Sequence, residues 1–283
     1  MDRGETMIID SHVHIGGNLM GHYLTEDMVI EAMDKYKIDF SLVSNLDSAE
    51  YDHNLKRIPS NLQTSQENSL SRCLKFAKQY PDRIGVLPWI KPASEMVTET
   101  LIEQIKNNRQ YIYGLKVHPY HSKTPFDGEK MQPYIQLART FQLPIATHTG
   151  GCDEASPRRV YEAAKRNTDI KFIMVHMGLQ TSHDEAMSYI ERLPNLYGDT
   201  TWVSMEDTIR FVQKIGSKRI LFGSDMPIDG VDTYDHNPRG DENVYRKYFD
   251  ELETIIGTEA YQDIMYRNGI KVFSINKTPN GTE

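Results

Sequence analysis

Short apolar runs rich in β-branched residues recur along the chain, each followed by a polar loop and then a stretch whose apolar residues return every three or four positions. The runs are Met7 to His14, Asp39 to Leu46, Ile84 to Ile90, Ile112 to His118, Leu143 to Thr149, Ile170 to His176, Leu196 to Thr201 and Arg219 to Asp225. Each is predicted to be a strand. Between them, Val29, Ala32, Met33 and Tyr36 share one helical face, as do Leu70, Cys73, Leu74 and Ala77, and Val97, Leu101 and Ile105. Ser156 before Pro157 predicts a helix start, and Ser182 with Glu185 three residues later predicts a capping box. Strand and helix alternating in this way predict an α/β fold of the (β/α)8 TIM-barrel type, with an open doubly wound sheet as the competing arrangement.

After the eighth strand a polar loop, Ile228 to Asp241, leads to a helix with Tyr245, Tyr248, Phe249 and Leu252 on one face, and a second C-terminal helix runs from Thr258 to about Asn268-Gly269. A further long connection, Asp47 to Ser65, follows the second strand; loops of such length are commonly lids or binding segments. No Ser/Gly/Pro-rich linker interrupts the pattern, so residues 1–275 are expected to be one domain and residues 276–283 a disordered tail.

The 283 residues carry 32 Lys+Arg against 40 Asp+Glu, a formal charge of −8. That balance lacks the basic footprint of a phosphate-neutralising protein, so neither nucleic acid nor an anionic membrane is expected as partner. Two cysteines, Cys73 and Cys152, make neither a disulfide framework nor a tetrathiolate zinc site. With no secretory signal in the polar start and no apolar run long enough to span a bilayer, the expectation is a cytoplasmic protein acting on a small molecule, with a homo-oligomer left open.

Chemistry is suggested by where the histidines fall. His12 and His14 close the first strand one residue apart, so the period of two turns both imidazoles to one side. His148 ends the fifth strand, His176 the sixth and Asp225 the eighth. In a parallel barrel the carboxyl ends of all strands meet at one face. Imidazoles and a carboxylate gathered there suit a divalent ion, with zinc, manganese, iron and nickel all chemically reasonable. Lys116 shares a face with His118 on the fourth strand. A lysine in the barrel mouth must be paired, for instance with Asp199, or neutral, or converted by carbon dioxide to a carbamate that bridges two ions.

The segments IIDSHVHIG at 8–16, YGLKVHP at 113–119, PIATHTG at 144–150, FIMVHMG at 172–178, LYGDTT at 196–201, LFGSDMP at 221–227 and YRNGIKVFSI at 266–275 resemble, in order, those of the amidohydrolase superfamily. The resemblance is to the amidohydrolase-related branch that includes the aminocarboxymuconate semialdehyde decarboxylases. It implies that His12, His14 and Asp225 hold the more buried ion and that His148 contributes to that site. It implies for His176 either ligation of a second ion or a catalytic role, and for Lys116 the position of the carbamylated lysine of binuclear relatives.

A bound ion would activate water and polarise a carbonyl, with Asp225 as ligand and proton acceptor. The reaction expected is hydrolysis of a C–N or C–O bond in an amide, cyclic amide, lactone or ester. A non-oxidative decarboxylase of the same family is the alternative; a binding scaffold and a nuclease are less favoured. Tyr120, His121, Trp202 and Arg57 are candidate substrate contacts at the rim, Arg57 as a clamp for a carboxylate. Cys152 is expected to be a bystander, and Trp89 core or pocket wall.

Overall fold

The structure, a computed structural model, describes residues 6–227 and 244–276. The polar loop Ile228 to Asp241, the side chain of Tyr245 and the tail beyond Asn276 lie outside the described residues. Among the described residues there are eight parallel strands: β1 Ile9–Ile15, β2 Phe40–Asn45, β3 Ile84–Val86, β4 Leu115–Val117, β5 Ile145–Gly150, β6 Phe172–Leu179, β7 Leu196–Asp199 and β8 Ile220–Leu221. They form a three-stranded run, β1-β2-β3, and a five-stranded run, β4 to β8. Bridges Val86↔Ile112 and Trp89↔Lys116 join the runs at one seam, and Val13↔Met226 joins them at the other. Together they close a TIM barrel.

The helices of the outer ring include α1 Glu26–Tyr36, α2 Gln66–Gln79, α3 Glu99–Asn107, α4 Gln132–Phe141, α5 Pro157–Arg166, α6 Asp184–Arg192 and α7 Met205–Ile215. The predicted faces are the buried ones: Val29, Ala32 and Met33 in α1, Leu70, Cys73, Leu74 and Ala77 in α2, and Leu101 and Ile105 in α3. Ser156 stands at the N-cap of α5 with Pro157 in the first turn. The capping box expected at Ser182 does not form. Residue His183 takes the N-cap position, and the Ser182 hydroxyl bonds the Asp184 carboxylate instead, while Arg210 binds both Asp184 and the Ser182 carbonyl.

Strands turn out shorter than the apolar runs where proline or a turn intervenes. β3 ends before Pro88, which has no N–H to continue the ladder. The C-terminal segment also differs, because helix continues through Asn268-Gly269 to Phe273 after a π turn at Asp263–Arg267. Gly269 faces β1: a Cβ there would stand 3.1 Å from Ile9 Cγ2. Tyr266, Val272, Phe273 and Ile275 join inward-facing Ile9, Phe40, Leu42, Ile173 and Leu221 in one apolar cluster, so the C-terminal helices plug the barrel floor. A second, larger cluster lies between strands and ring helices.

Alternation would place Ile9, Val13 and Ile15 on one side of β1. In fact Ile9 points into the barrel while Val13 and Ile15 belong to the outer layer. The register shift between Asp10 and Val13 makes the change, and it leaves His12 and His14 facing inward.

Candidate metal centre and active site

A cavity of about 380 Å³ opens at the carboxyl ends of the strands, and eight of the ten histidines in the chain line it. Its floor holds the strand-end residues. His12 Nε2 and His14 Nε2 stand 2.8 Å apart, and Asp225 Oδ1 lies 3.2 Å from the latter and 3.5 Å from the former. These three side chains each offer a ligand atom within 4.8 Å of the others, and all three are buried.

The outer nitrogens of the rings are already engaged. His14 Nδ1 lies 2.9 Å from Ser44 Oγ, and His12 Nδ1 lies 3.2 Å from Thr201 Oγ1. With protons on those outer nitrogens, two imidazole lone pairs face each other across 2.8 Å beside a carboxylate oxygen. A cation between them removes that repulsion; the donor set of two imidazoles and a carboxylate therefore fits a divalent transition ion. Burial holds both histidines below their usual range, His12 well below it. Burial alone would raise Asp225, but His12 and His14 beside it outweigh that and hold its carboxyl far below the ordinary carboxylate range. Its second oxygen, Oδ2, accepts the Trp202 indole N–H at 2.6 Å.

Lys116 is buried, and alternation on β4 turns it inward with His118. Its Nζ is 2.9 Å from His12 Nε2, the nitrogen that faces the other ligands. Burial lowers its pKa to about 8, against the opposing pull of Asp225 and Asp199. Asp199, weighed as its ion-pair partner, has other duties: Oδ1 accepts the His176 backbone N–H at 2.9 Å, and Oδ2 the Thr201 hydroxyl at 2.9 Å. That carboxylate positions His176 and, through Thr201, His12.

His148 and His176 form a second imidazole pair. Their centroids are 4.8 Å apart and their planes at 70°, close to the 4.7 Å and 80° of His12 and His14. The group of three does not include His148, expected to share the first site. His148 instead stacks on His118 at 3.8 Å, which in turn lies over Trp89 at 5.5 Å. Among described atoms its Nδ1 is buried without a hydrogen-bond partner. His176 Nδ1 is 3.1 Å from the Thr201 carbonyl, which only accepts, so that nitrogen carries the proton and Nε2 presents a lone pair. Burial lowers the His176 pKa to about 4.

Three of these residues hold the left-handed backbone region: His176 at φ 66°, Asp225 at 66° and Trp202 at 58°. Side chains with a Cβ adopt it at a penalty of about 1–3 kcal/mol, which surrounding contacts must offset. At β6 the turn has a visible effect. Met177, which alternation would put inside with Ile173 and Val175, lies in the outer layer, and His176 lines the cavity.

Of the candidate substrate contacts, Tyr120, His121 and Trp202 line the cavity. Arg57 does not: it is exposed on the second loop, in a β-bridge with Tyr51. Cys152 is likewise not among the lining residues, and burial raises its thiol pKa. Ser44, Thr201, His22 and His53 escaped the sequence reading. Ser44 and Thr201 act through the ring nitrogens they hold, and the two histidines sit in loops without periodicity.

The family model of the amidohydrolases matches residues 9–275. The chain belongs to the amidohydrolase family. No curated protein sequence matches it. Among solved structures it resembles the 5-carboxyvanillate decarboxylase of Novosphingobium aromaticivorans, solved with bound manganese, at a TM-score of 0.72 and 11% identity over 95% of this chain and 97% of that one. The 2,6-dihydroxybenzoate decarboxylase from Rhizobium gives 0.67 and 14% over 95% and 99%. The probable 2-pyrone-4,6-dicarboxylic acid hydrolase of Acinetobacter baumannii, with citric acid bound, gives 0.64 and 14% over 95% and 99%. At such identities the likeness is one of fold, and this amidohydrolase shares its barrel with decarboxylases and a hydrolase alike. No helix among the described residues is long and apolar enough to cross a membrane.

Proposed function

We propose that this amidohydrolase is a metal-dependent hydrolase that uses an activated water to cleave a C–N or C–O bond of a small amide, cyclic amide, lactone or ester. The observation that carries the reading is the symmetry of the floor: two imidazole pairs of nearly the same geometry, with the buried Lys116 amine 2.9 Å from one of them. His12, His14 and Asp225 would hold one divalent ion, and His148 and His176 a second. An ammonium against His12 Nε2 would be repelled by a dication held at that nitrogen, so Lys116 would be neutral there, or carbamylated by carbon dioxide with loss of a proton, in which case it would add a carboxylate to the ligand set.

Such ions lower the pKa of a coordinated water and polarise the substrate carbonyl. The residues do the rest. Asp225 is ionised and presents Oδ1 toward the ligand nitrogens, where it would hold the ion, and the Trp202 indole fixes Oδ2 and with it the carboxylate plane; as proton acceptor it would act against the low proton affinity that His12 and His14 give it. Asp199 holds the His176 main chain, which keeps the second imidazole pair in register with the first. Trp202, Met20, Leu46 and Leu179 supply an apolar wall, and a cavity of about 380 Å³ suits a small molecule.

The rival reading is a non-oxidative decarboxylase, in which a single ion orients a carboxylated ring and His176 Nε2 moves the proton. The lone pair at that atom favours it, and so do the decarboxylases among the structural relatives. Metal content and intact mass of protein purified without chelator separate the two. Two equivalents of zinc or manganese, a labile carbon dioxide adduct lost in Lys116→Met, and acid release from lactones or amides support hydrolysis. One equivalent, an unmodified Lys116 and carbon dioxide evolved from a carboxylated phenol would replace it with decarboxylation.

A further inference from the structure

His118 lines the cavity beside the ligand imidazoles without joining their group. It follows β4 directly and stands at the N-cap of the helical turn Pro119–Ser122. In the barrel order, Trp89 reaches it from the β3 side and His148 from β5. Both rings stack on it, Trp89 at 5.5 Å and 16°, His148 at 3.8 Å and 15°. The two faces of the His118 ring are thus covered by flat neighbours from opposite sides.

Its edges differ. Nδ1 accepts the His121 backbone N–H at 3.3 Å, which closes the helical turn. A backbone amide only donates, so Nδ1 holds a lone pair and the single ring proton sits on Nε2. That form is neutral, because an imidazolium would aim a second N–H at the amide. Among described atoms Nε2 has no hydrogen-bond partner, and with both faces and the Nδ1 edge engaged, the Nε2 edge is the part of the ring left to face the cavity. On the floor His12, His14 and His176 bond through their outer nitrogens and turn lone pairs inward. His118 does the reverse, and a nitrogen that bears a proton donates rather than ligates.

We propose that His118 Nε2–H is the donor that holds the oxygen of the substrate's scissile carbonyl, which makes His118 a catalytic residue; the assignment rests on the hydrolase reading. As water adds its oxygen to the carbonyl carbon, the C=O pair moves onto the carbonyl oxygen, and a fixed N–H beside that oxygen binds it more tightly as its charge grows. When the pair returns, the C–N or C–O bond breaks and the leaving group departs with the electrons of that bond, taking up the proton that the water releases. His118 keeps its own proton throughout. The stack between Trp89 and His148 prevents the ring from swinging away, so the donor needs no reorganisation as charge develops.

Two measurements test it. Metal-free, full-length protein labelled with 15N-histidine gives the tautomer from imidazole 1H–15N correlations at about pH 7, the His118 signals being those lost in His118→Asn. A protonated Nε2 with a bare Nδ1 is expected; a proton on Nδ1, or on both nitrogens, would overturn the proposal. Zinc-loaded proteins are then compared on p-nitrophenyl acetate and δ-valerolactone, with zinc content and thermal unfolding checked for each. His118→Asn keeps an acceptor near the Nδ1 position but has no donor at Nε2, and its kcat should fall about a hundredfold with KM little changed. His118→Gln carries an amide N–H to the Nε2 position and should stand at least about tenfold above it. Wild-type kcat in a folded, zinc-replete His118→Asn, or equal loss in both variants, would overturn the donor while leaving hydrolysis in place. A wild type that evolves carbon dioxide from a carboxylated phenol and cleaves neither probe would instead remove the hydrolase reading, and the carbonyl role with it.

Discussion

Glu50 shows what a single residue contributes to pH dependence in this molecule. Its backbone joins the second loop to His121 and to Ile58, but its carboxyl is 2% exposed and Oε1 has no hydrogen-bond partner among described atoms. Burial pushes its pKa up to about 7, against the Ser94 hydrogen bond and the Lys91 charge, and the unfolded chain returns it to the ordinary value of 4.5. Between those values the folded protein binds a proton that the unfolded chain has released. Stability from Glu50 is therefore full below about pH 4.5 and is lost as the pH rises through 7. Glu50→Gln is expected to be more stable than the wild type at pH 8, by at most about 3 kcal/mol, with the gap closing at pH 4.5. Urea unfolding of both proteins at the two pH values checks it; equal stability at pH 8 would refute the assignment.

The same scale explains which site residues the sequence could reveal. His12, His14, His148, His176 and Asp225 were legible because each ends an apolar run, and a parallel barrel gathers strand ends. Ser44 and Thr201 were not, since a hydroxyl at a strand end is as readily a turn residue, and only the ring nitrogen it meets gives it a role. Arg57 had the right chemistry for a carboxylate clamp, yet loop conformation put it outside the cavity.

At the scale of elements, barrel closure at the β1–β8 seam depends on few contacts. β8 has only two residues, and past it the seam continues as Ser11 N–H to the Phe222 carbonyl, Asp225 N–H to the His12 carbonyl and His14 N–H to the Met226 carbonyl. Asp10 stitches the gap: its carboxylate accepts from the backbone N–H groups of His12 at 3.1 Å and Ser224 at 3.0 Å, and from the Ser224 hydroxyl. Asp10→Ala leaves those donors buried and unpaired, each worth about 1–3 kcal/mol. A loss of at least about 3 kcal/mol is expected, together with weaker metal binding, because this seam aims both His12, on β1, and Asp225, which follows β8 and bonds the His12 carbonyl. Asp10→Asn keeps an acceptor oxygen and should recover more than half of that loss, as denaturant midpoints can show.

Strand order and helix faces were readable because the 2.0 and 3.6 residue periods are local. Register shifts and left-handed residues were not. The shift between Asp10 and Val13, and the turn at His176 and Met177, reverse the side on which residues fall, and no local period encodes a reversal. Helix continuation through Asn268-Gly269 was missed for a related reason: Gly269 reads as a helix stop, but here it allows close approach to Ile9.

For the molecule as a whole, the closed floor and the open mouth divide stability from chemistry. C-terminal helices seal the bottom with Tyr266, Val272 and Phe273, and Asn268 donates to the Ser217 and Ile220 carbonyls beneath β8. The mouth instead gathers imidazoles and Lys116 around two buried carboxylates, Asp199 and Asp225, an arrangement that is crowded without a cation. An ion that binds the folded state alone adds RT ln(1 + [L]/Kd), about 2.7 kcal/mol at a hundredfold excess over Kd. For a chain of this size that corresponds to a rise in Tm of roughly 5–10 °C. Wild-type protein freed of metal should gain that much when zinc or manganese is returned, and His14→Ala should gain less than a third of it. Removing one ring also relieves the facing lone pairs, so the metal-free variant should melt no more than a few degrees below the metal-free wild type. Calorimetry of the four states gives the comparison. A variant that kept the full metal-dependent rise would move the stabilising ion away from His12, His14 and Asp225 and onto the other imidazoles of the cavity.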